Sequence, residues 1–148
     1  MKIDFYEIGT VEDSELKFAV ISAIYQGKWV YVRHRERKSW EIPGGHRERG
    51  ESITAAAKRE LFEETGAKTF ELTPICDYSA DNLVNKQFGR LFIANIIEIG
   101  ELPNSEIGEL RLSDKLPENL THSEIQPHLY EKTLEFLKET FSEELISK

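Results

Sequence analysis

The chain has very little cysteine. Its single cysteine, Cys76, cannot close a disulfide within the chain, which excludes a disulfide-stapled secreted domain and favours a reducing, intracellular environment. Cys76 lies in a segment that predicts a strand, so we expect a small buried side chain there rather than a reactive thiol.

Long apolar runs are also missing. The longest, around residues 18–25 and 91–97, are far shorter than the roughly 20 residues that a helix needs to cross a bilayer. The first seven residues, MKIDFYE, have no apolar core of the kind that secretory signal peptides carry. We therefore expect a soluble, cytoplasmic protein that does not contact membranes.

Basic residues are in deficit. The chain has 19 Lys and Arg against 27 Asp and Glu, a formal net charge of −8. Binding to duplex nucleic acid relies on Lys and Arg that neutralise phosphates, so we do not expect a partner of that kind. If the substrate is itself an anion, a divalent cation is the usual agent that offsets the repulsion.

The 148 residues fall within the usual size of one domain, and we predict a single domain over residues 1–148. Hydrophobic residues make up 39% and charged residues 31%, which excludes a disordered tail, a collagenous repeat and a membrane bundle. No repeat or linker divides the chain.

Apolar and β-branched residues predict strands at residues 16–25, 29–32, 70–78 and 88–99. The first two are joined by a turn at Gln26-Gly27, which predicts a hairpin. A short strand that ends in a turn is predicted over Trp40–Gly45, and an irregular stretch follows Asn104. Strands interleaved with one central and one terminal helix predict an α/β domain with a mixed sheet.

The terminal helix is predicted to start near Ser123. Its apolar residues recur at helical spacing, and we expect them to pack in the core: Leu129, Tyr130, Leu134, Leu137 and Phe141. The central helix is predicted from Ser52 to Thr65, because Ser52 suits the N-cap and Gly66 suits the end of a helix.

The central helix carries three carboxylates on one face: Glu60, Glu63 and Glu64. Each close pair of like charges destabilises a helix by roughly 0.2–0.5 kcal/mol, and carboxylates near a C-terminus also oppose the helix dipole. The arrangement favours a bound Mg²⁺ or Mn²⁺, which prefers oxygen ligands. A solvated acidic face is the alternative interpretation of these three residues.

The residues around these glutamates follow a fixed spacing: Gly45, then Glu51, Arg59-Glu60-Leu61, Glu63-Glu64 and Gly66-Ala67. The pattern resembles the Nudix box, G-x5-E-x7-R-E-U-x-E-E-x-G-U with U apolar, and every defined position matches. Seven fixed residues at background frequencies of about 5–7% would recur by chance in fewer than about one chain in a million.

The resemblance implies an α/β/α sandwich in which the catalytic helix follows a glycine-rich loop and a further helix lies at the C-terminus. It implies hydrolysis of a nucleoside diphosphate linked to another group, X, with Mg²⁺ or Mn²⁺ as cofactor. Divalent cations neutralise phosphate charge and lower the pKa of a bound water, and a carboxylate can accept the proton of that water.

By residue, Glu60 and Glu64 match the family's principal metal-ligand positions and Glu63 a third one, so all three are the predicted catalytic and metal-binding glutamates. The Gly44 carbonyl matches a backbone ligand of the family. Glu60 is our candidate for the general base. Four other box residues are predicted to be structural: Gly45, Glu51, Arg59 and Gly66. Arg59 and Glu51 are expected to form an ion pair that braces the loop against the helix.

Many relatives supply another carboxylate from a loop after the later strands. Here Glu106 and Glu109 are the candidates, and we prefer Glu106 as the metal ligand. Where relatives often have Trp shortly after this position, the chain has Leu110 or Leu112, so the alignment of the loop stays open.

Other residues could contact the substrate. The basic segment over residues 33–39 could bind a phosphate through Arg33, Arg35, Arg37 and Lys38, although a solvated loop is an equal alternative. Asn119 stands near a position where MutT-type enzymes carry a purine-contacting Asn. We expect His34 and His46 to be solvated rather than catalytic.

The box does not determine the substrate. The short chain is similar to MutT-like enzymes, which convert (d)NTPs such as 8-oxo-dGTP to NMP and pyrophosphate. The alternatives are an RNA 5′-pyrophosphohydrolase and a nucleotide-sugar or ADP-ribose pyrophosphatase. A non-catalytic nucleotide-binding module is the alternative from another class. The partner is then a small nucleotide, and either a monomer or a homodimer is compatible with the composition.

Overall fold

The computed structural model describes the backbone of residues 1–146 and the side chains of residues 1–140. Within this range it has seven strands and two α-helices: β1 (Lys2–Tyr6), β2 (Leu16–Tyr25), β3 (Lys28–His34), β4 (Gly44–His46), α1 (Ile53–Thr65), β5 (Ala67–Asp81), β6 (Lys86–Ile99), β7 (Ile107–Ser113) and α2 (Gln126–Ile146). A short 3-10 turn at Asp13–Glu15 leads into β2.

All seven strands form one mixed sheet in the order β1-β5-β6-β2-β3-β7, with β4 paired to β2 beside this path. The central pair, β2 and β6, is parallel, and the other neighbours are antiparallel. β3 pairs with the end of β2, and β4 pairs with its beginning, from Phe18 to Val20. The glycine-rich segment is therefore held against the centre of the sheet.

Alternation along β2 sends its side chains to opposite faces of the sheet. Ala19 and Ile21 belong to the core beneath α1, together with the buried face of that helix: Ile53, Ala56, Ala57 and Leu61. Val20 packs into a second core with Leu129 of α2, and Ser22 lies 2.7 Å from the Thr133 hydroxyl of the same helix. One helix covers each face, so the predicted α/β/α sandwich is confirmed.

α1 begins and ends where its sequence predicts. The Ser52 hydroxyl accepts a hydrogen bond from the Ala55 amide at 3.1 Å, a capping contact that stabilises a helix by about 1 kcal/mol. Gly66 ends the helix with φ +80°, in the left-handed region that favours glycine, and its amide donates to the Phe62 carbonyl.

Several predicted elements needed correction. β1 was not predicted, and β7 lies in the stretch expected to be irregular, because both are edge strands that pair with strands distant in sequence. Trp40 and Glu41 form isolated bridges, so the strand predicted from Trp40 is displaced to β4. The terminal helix begins at Gln126 rather than near Ser123.

The apolar residues of α2 are only in part a core. Leu129 is buried, Tyr130 and Leu137 are partly buried, but Leu134 is 41% exposed, so its predicted core position is wrong. The reason is that the helix meets the sheet through Thr133, and the next residue is rotated about 100° away. The Phe141 side chain lies outside the described residues. No helix in the described part of the chain is long and apolar enough to cross a membrane.

Candidate active site

A cleft with a volume of about 650 Å³ lies where β4, α1, the β5–β6 hairpin and the start of α2 meet. Its size is within the range of small-molecule sites. Apolar side chains such as Phe18, Tyr78 and Leu129 line part of it. Among the described side chains, four carboxylates line it as well: Glu41, Glu60, Glu64 and Glu106.

Glu64 is the most enclosed of these carboxylates, with 9% of its side chain exposed. Burial is the main reason that its pKa is raised, to about 8. A hydrogen bond from the Gly44 amide to Oε1, at 2.8 Å, lowers this pKa, and the nearby charges of Glu60, Glu41 and Glu106 raise it. A cation placed here would stabilise the ionised form.

Glu60 is packed tightly between the glycine-rich segment and Arg59. A Cβ atom on Gly45 would lie 2.5 Å from Oε1 of Glu60, so only glycine leaves room for this carboxylate. Arg59 Nη1 donates to the same oxygen at 2.8 Å. Burial raises the pKa of Glu60, and the bond from Arg59 opposes that effect.

Arg59 joins the loop before α1 to the helix. Its Nε and Nη2 donate to the two carboxylate oxygens of Glu51 at 2.7 and 3.0 Å, which lowers the pKa of Glu51. Nη2 also donates to the His46 carbonyl at 3.1 Å. The ion pair predicted between these two box residues is present, and it holds the glycine-rich segment against α1.

The other predicted carboxylates differ in where they point. Glu63 is 45% exposed, bonds to Arg59 Nη1 at 3.3 Å and does not line the cleft. Glu106 lines the cleft, whereas Glu109 pairs with Arg33 at 3.2 Å on the outer part of the sheet. Of the two candidates after the box, the structure therefore brings Glu106 to the other glutamates.

A second cluster of ionisable side chains surrounds His34, and the sequence pattern did not indicate it. His34 Nε2 lies 2.7 Å from Oε1 of Glu41 and 3.9 Å from Oε2 of Glu64, and its Nδ1 lies 3.5 Å from Glu106. The expectation of a solvated His34 is wrong, since its side chain is 21% exposed. Val30, Tyr31 and Val32 are all buried, so alternation along β3 does not indicate which face His34 occupies. His46 is exposed, as expected.

Three of the substrate-contact candidates, Arg33, Arg35 and Asn119, lie outside the cleft. Arg33 is bonded to Glu109, the Arg35 guanidinium donates to the Asn104 amide oxygen, and the Asn119 amide donates to the Lys38 carbonyl at 2.9 Å. Another predicted phosphate contact, Arg37, does line the cleft, and its Nη1 lies 3.8 Å from Glu41.

The donor set fits a hard divalent cation. Glu60 and Glu64 are carboxylates whose ionised forms are disfavoured by burial, and Gly44 lies beside Glu64. As the side chains stand, however, no three His, Cys, Asp or Glu residues within the described chain converge closely enough to hold a metal ion.

An α/β/α sandwich in which a glycine-rich segment and an acidic helix meet at one cleft is the arrangement expected of a protein with a Nudix box. Comparison with known proteins agrees. The family model of the NUDIX domain matches residues 15–123. The chain therefore belongs to the Nudix family, the family of the Nudix hydrolases.

Relatives by sequence include YtkD of Bacillus subtilis, whose name proposes an 8-oxo-dGTP diphosphatase. It is 30% identical over 102 residues, which cover 67% of this chain and 63% of that protein. An RNA pyrophosphohydrolase of Caulobacter vibrioides is 44% identical over 46 residues, 30% of this chain and 27% of that protein. The chain thus spans less than two thirds of the length of these relatives.

Solved structures share the fold. A Bacillus subtilis pyrophosphohydrolase, BsRppH, superposes with a TM-score of 0.80 at 24% identity, covering 93% of this chain and 90% of that one. A UDP-X diphosphatase superposes with a TM-score of 0.73 at 22% identity, covering 90% of this chain and 68% of that one. At these identities the likeness concerns the fold alone.

Proposed function

We propose that the protein is a metal-dependent pyrophosphohydrolase that hydrolyses a nucleoside diphosphate linked to a group X. The observation that carries this proposal is the buried Glu64, whose pKa is raised to about 8 among three further carboxylates of one cleft. Burial and repulsion between like charges both disfavour a group of ionised carboxylates, and such groups in a cleft are typical of functional sites.

In this proposal Glu60, Glu63 and Glu64, together with the Gly44 carbonyl and Glu106, hold Mg²⁺ or Mn²⁺. The bound cation would neutralise the phosphates and lower the pKa of a bound water. Glu60 is the candidate to accept a proton from that water, and Arg59 orients Glu60 through the 2.8 Å bond.

The substrate class that we favour is a (d)NTP such as 8-oxo-dGTP, in the MutT-like manner that releases NMP and pyrophosphate. The 30% identity to YtkD supports this choice. A second candidate is the triphosphorylated 5′ end of RNA. It is favoured by the local identity to an RNA pyrophosphohydrolase.

The test is release of phosphate and pyrophosphate from a panel of substrates, each with Mg²⁺, Mn²⁺ or EDTA. The panel contains dGTP, 8-oxo-dGTP, ATP, ADP-ribose, a dinucleoside polyphosphate and triphosphorylated RNA. We expect EDTA-sensitive turnover concentrated on one member, lost in Glu64→Gln. Glu109→Gln is the matched control, because this carboxylate lies outside the cleft. If no substrate of the panel is hydrolysed, a nucleotide-binding module is favoured instead.

A further inference from the structure

The last residue of β3, His34, lies among three carboxylates of the cleft. Its Nε2 lies 2.7 Å from Oε1 of Glu41 and 3.9 Å from Oε2 of Glu64, and its Nδ1 lies 3.5 Å from Oε2 of Glu106. The imidazole ring is rigid, and its two nitrogens face different carboxylates. A contact that fixes one nitrogen therefore also fixes the direction in which the other nitrogen points.

Glu41 is the anchored member of this group. Its side chain is 12% exposed, and its backbone is bridged to Val32 by two hydrogen bonds, at 2.8 and 3.0 Å. Val32 is fully buried in β3, two residues before His34. Glu41 and His34 are thus attached to the same strand, and the contact between them orients the ring toward the carboxylate on its other side.

The side chain of Glu106 has no such anchor of its own. It is 84% exposed, and within residues 1–140 His34 is the only Lys, Arg or His side chain that lies within 4.0 Å of its carboxylate. An exposed glutamate loses rotamer freedom when it binds a cation, and this loss weakens binding. A neighbouring group that already restricts the carboxylate reduces the loss.

The pairing of β7 with β3 brings the backbone of Glu106 to this position. Arg33 pairs with Glu109. The next residue, His34, pairs with Ile107, so the register shifts by one residue. The shift moves Glu106 one position closer to His34, and the Glu106 carbonyl accepts a hydrogen bond at 2.8 Å from the amide of the residue that follows His34. Irregularities of this kind redirect side chains beside active sites.

We infer that His34 is a positioning residue: held by Glu41, it keeps the Glu106 carboxylate directed toward the cation of the cleft. The inference rests on the hydrolase function proposed above, and it adds to that function a residue that acts through a ligand rather than on the substrate. Removing a group that holds a metal ligand in place typically costs about 10–100-fold in metal affinity or activity.

The test is a double-mutant cycle between His34→Ala and Glu106→Gln, with the Kd of Mn²⁺ as the readout. Electron paramagnetic resonance measures free Mn²⁺ on protein without substrate, so the readout does not depend on turnover. We expect each single variant to raise this Kd about 10-fold and the double variant to bind no more weakly than Glu106→Gln alone. The reason is that removing His34 has no further effect once the carboxylate is lost.

Two conservative variants separate the two sides of the ring. In His34→Asn the side-chain amide lies near the position of Nδ1, and in His34→Gln it lies near the position of Nε2. We expect His34→Asn to recover binding to within about threefold of wild type, whereas His34→Gln should resemble His34→Ala. His128→Ala is the matched control, because His128 is exposed on α2 and does not line the cleft. It should bind Mn²⁺ as wild type does.

Losses that multiply in the double variant would overturn the inference, because His34 would then act independently of Glu106, either as a ligand or through the fold. An unchanged Kd in His34→Ala would overturn it as well. Urea unfolding of every variant identifies a folding defect, and His34→Gln takes the place of His34→Ala in the cycle if the latter does not fold.

Failure of the hydrolase function gives a different result. The effects of His34→Ala and Glu106→Gln on Mn²⁺ binding would still be coupled, but EDTA-sensitive turnover would be missing on every nucleotide of the panel. If wild-type protein binds no Mn²⁺, the metal-dependent function and the positioning role of His34 are overturned together.

Discussion

Two buried carboxylates in this molecule differ in the number of hydrogen-bond donors around them. Asp77 on β5 is fully buried, and its two oxygens receive four N–H donors at 2.7 to 3.3 Å, from Arg90 and from the Gly9 and Val11 amides. Glu64 on α1 receives one, from Gly44, and faces further carboxylates.

This difference in donors distinguishes a carboxylate with a structural role from a carboxylate that is a candidate for ligand binding. The charge of Asp77 is compensated inside the protein, so it holds the segment before β2 against the sheet. Among the described groups only the Gly44 amide donates a hydrogen bond to Glu64, and His34 Nε2 lies 3.9 Å away, so burial beside other carboxylates raises the pKa of Glu64. A buried carboxylate without enough donors is therefore the better indicator of a binding site.

The largest expected effect is that of Glu64→Gln. We expect kcat to fall by about 10²–10³-fold, since the amide cannot replace a carboxylate ligand. Thermal stability should be unchanged or higher, because the side chain no longer carries a charge that burial disfavours. Turnover with Mg²⁺ and a melting curve measure the two effects, and full metal-dependent hydrolysis in this variant would contradict the assignment.

Asp77→Asn should show the opposite pattern. Removing this charge leaves Arg90 without its partner, and breaking a buried pair in this way costs about 3 kcal/mol or more. Urea unfolding measures the loss, and kcat of the folded fraction should stay near that of wild type. The control is Asp114→Asn, whose exposed pair with Lys28 should contribute less than about 1 kcal/mol. Equal unfolding midpoints for the two variants would refute the comparison.

The pH dependence of stability gives a third test on metal-free protein. Glu64 has a pKa of about 8 in the folded state and an ordinary value of 4.5, so the folded state binds more protons between these values. The free energy of unfolding should therefore decrease as pH rises from about 5 to 8, by at most about 1.4 kcal/mol per pH unit from this group. Glu64→Gln should remove this contribution to the pH dependence. If the free energy of unfolding varied with pH in the same way in wild type and in Glu64→Gln, the contribution from Glu64 would be excluded.

Arg59→Lys tests the network that connects the glycine-rich segment with α1. Lysine keeps the charge but cannot bond both oxygens of Glu51 while it also contacts Glu60. We expect a loss of about 10–100-fold in apparent Mg²⁺ affinity or activity, measured by titrating Mg²⁺ during turnover. Arg47→Lys is the control, because Arg47 bonds to Asp13 away from the cleft. Equal Mg²⁺ titrations for both variants would argue against a positioning role.

The smallest effect concerns the carboxylates after the box. Glu106 is 84% exposed but lines the cleft, so Glu106→Gln should lower activity about 10-fold, or about 1.4 kcal/mol. Glu109→Gln removes only a surface pair with Arg33 and should stay within about twofold of wild type. Steady-state kinetics on the best substrate of the panel measure both effects. A larger loss of activity in Glu109→Gln than in Glu106→Gln would make Glu109 the better candidate for the metal ligand.

Local features of the chain were predictable from sequence. The ends of α1 follow from Ser52 and Gly66, whose contacts involve residues within four positions along the chain. The strands of the β2–β3 hairpin follow from their apolar residues and a turn at Gln26-Gly27. The family was predicted for the same reason, because the box spans only 23 consecutive residues. The mixed sheet was predicted from the way strands and helices are interleaved along the chain.

Long-range features were not predictable. β7 pairs with β3 across more than 70 residues, and that pairing places Glu106 beside His34 and Glu109 beside Arg33. The inward position of Glu41 also depends on its bridge to β3.

Spacing along the chain was enough to predict the family, helix α1 and the glutamates of the box. Which carboxylates share a cleft, and how many donors each receives, depends on contacts between distant segments. Asp77 and Glu64 look alike as residues, and they differ because burial and the supply of donors depend on segments that the fold brings together.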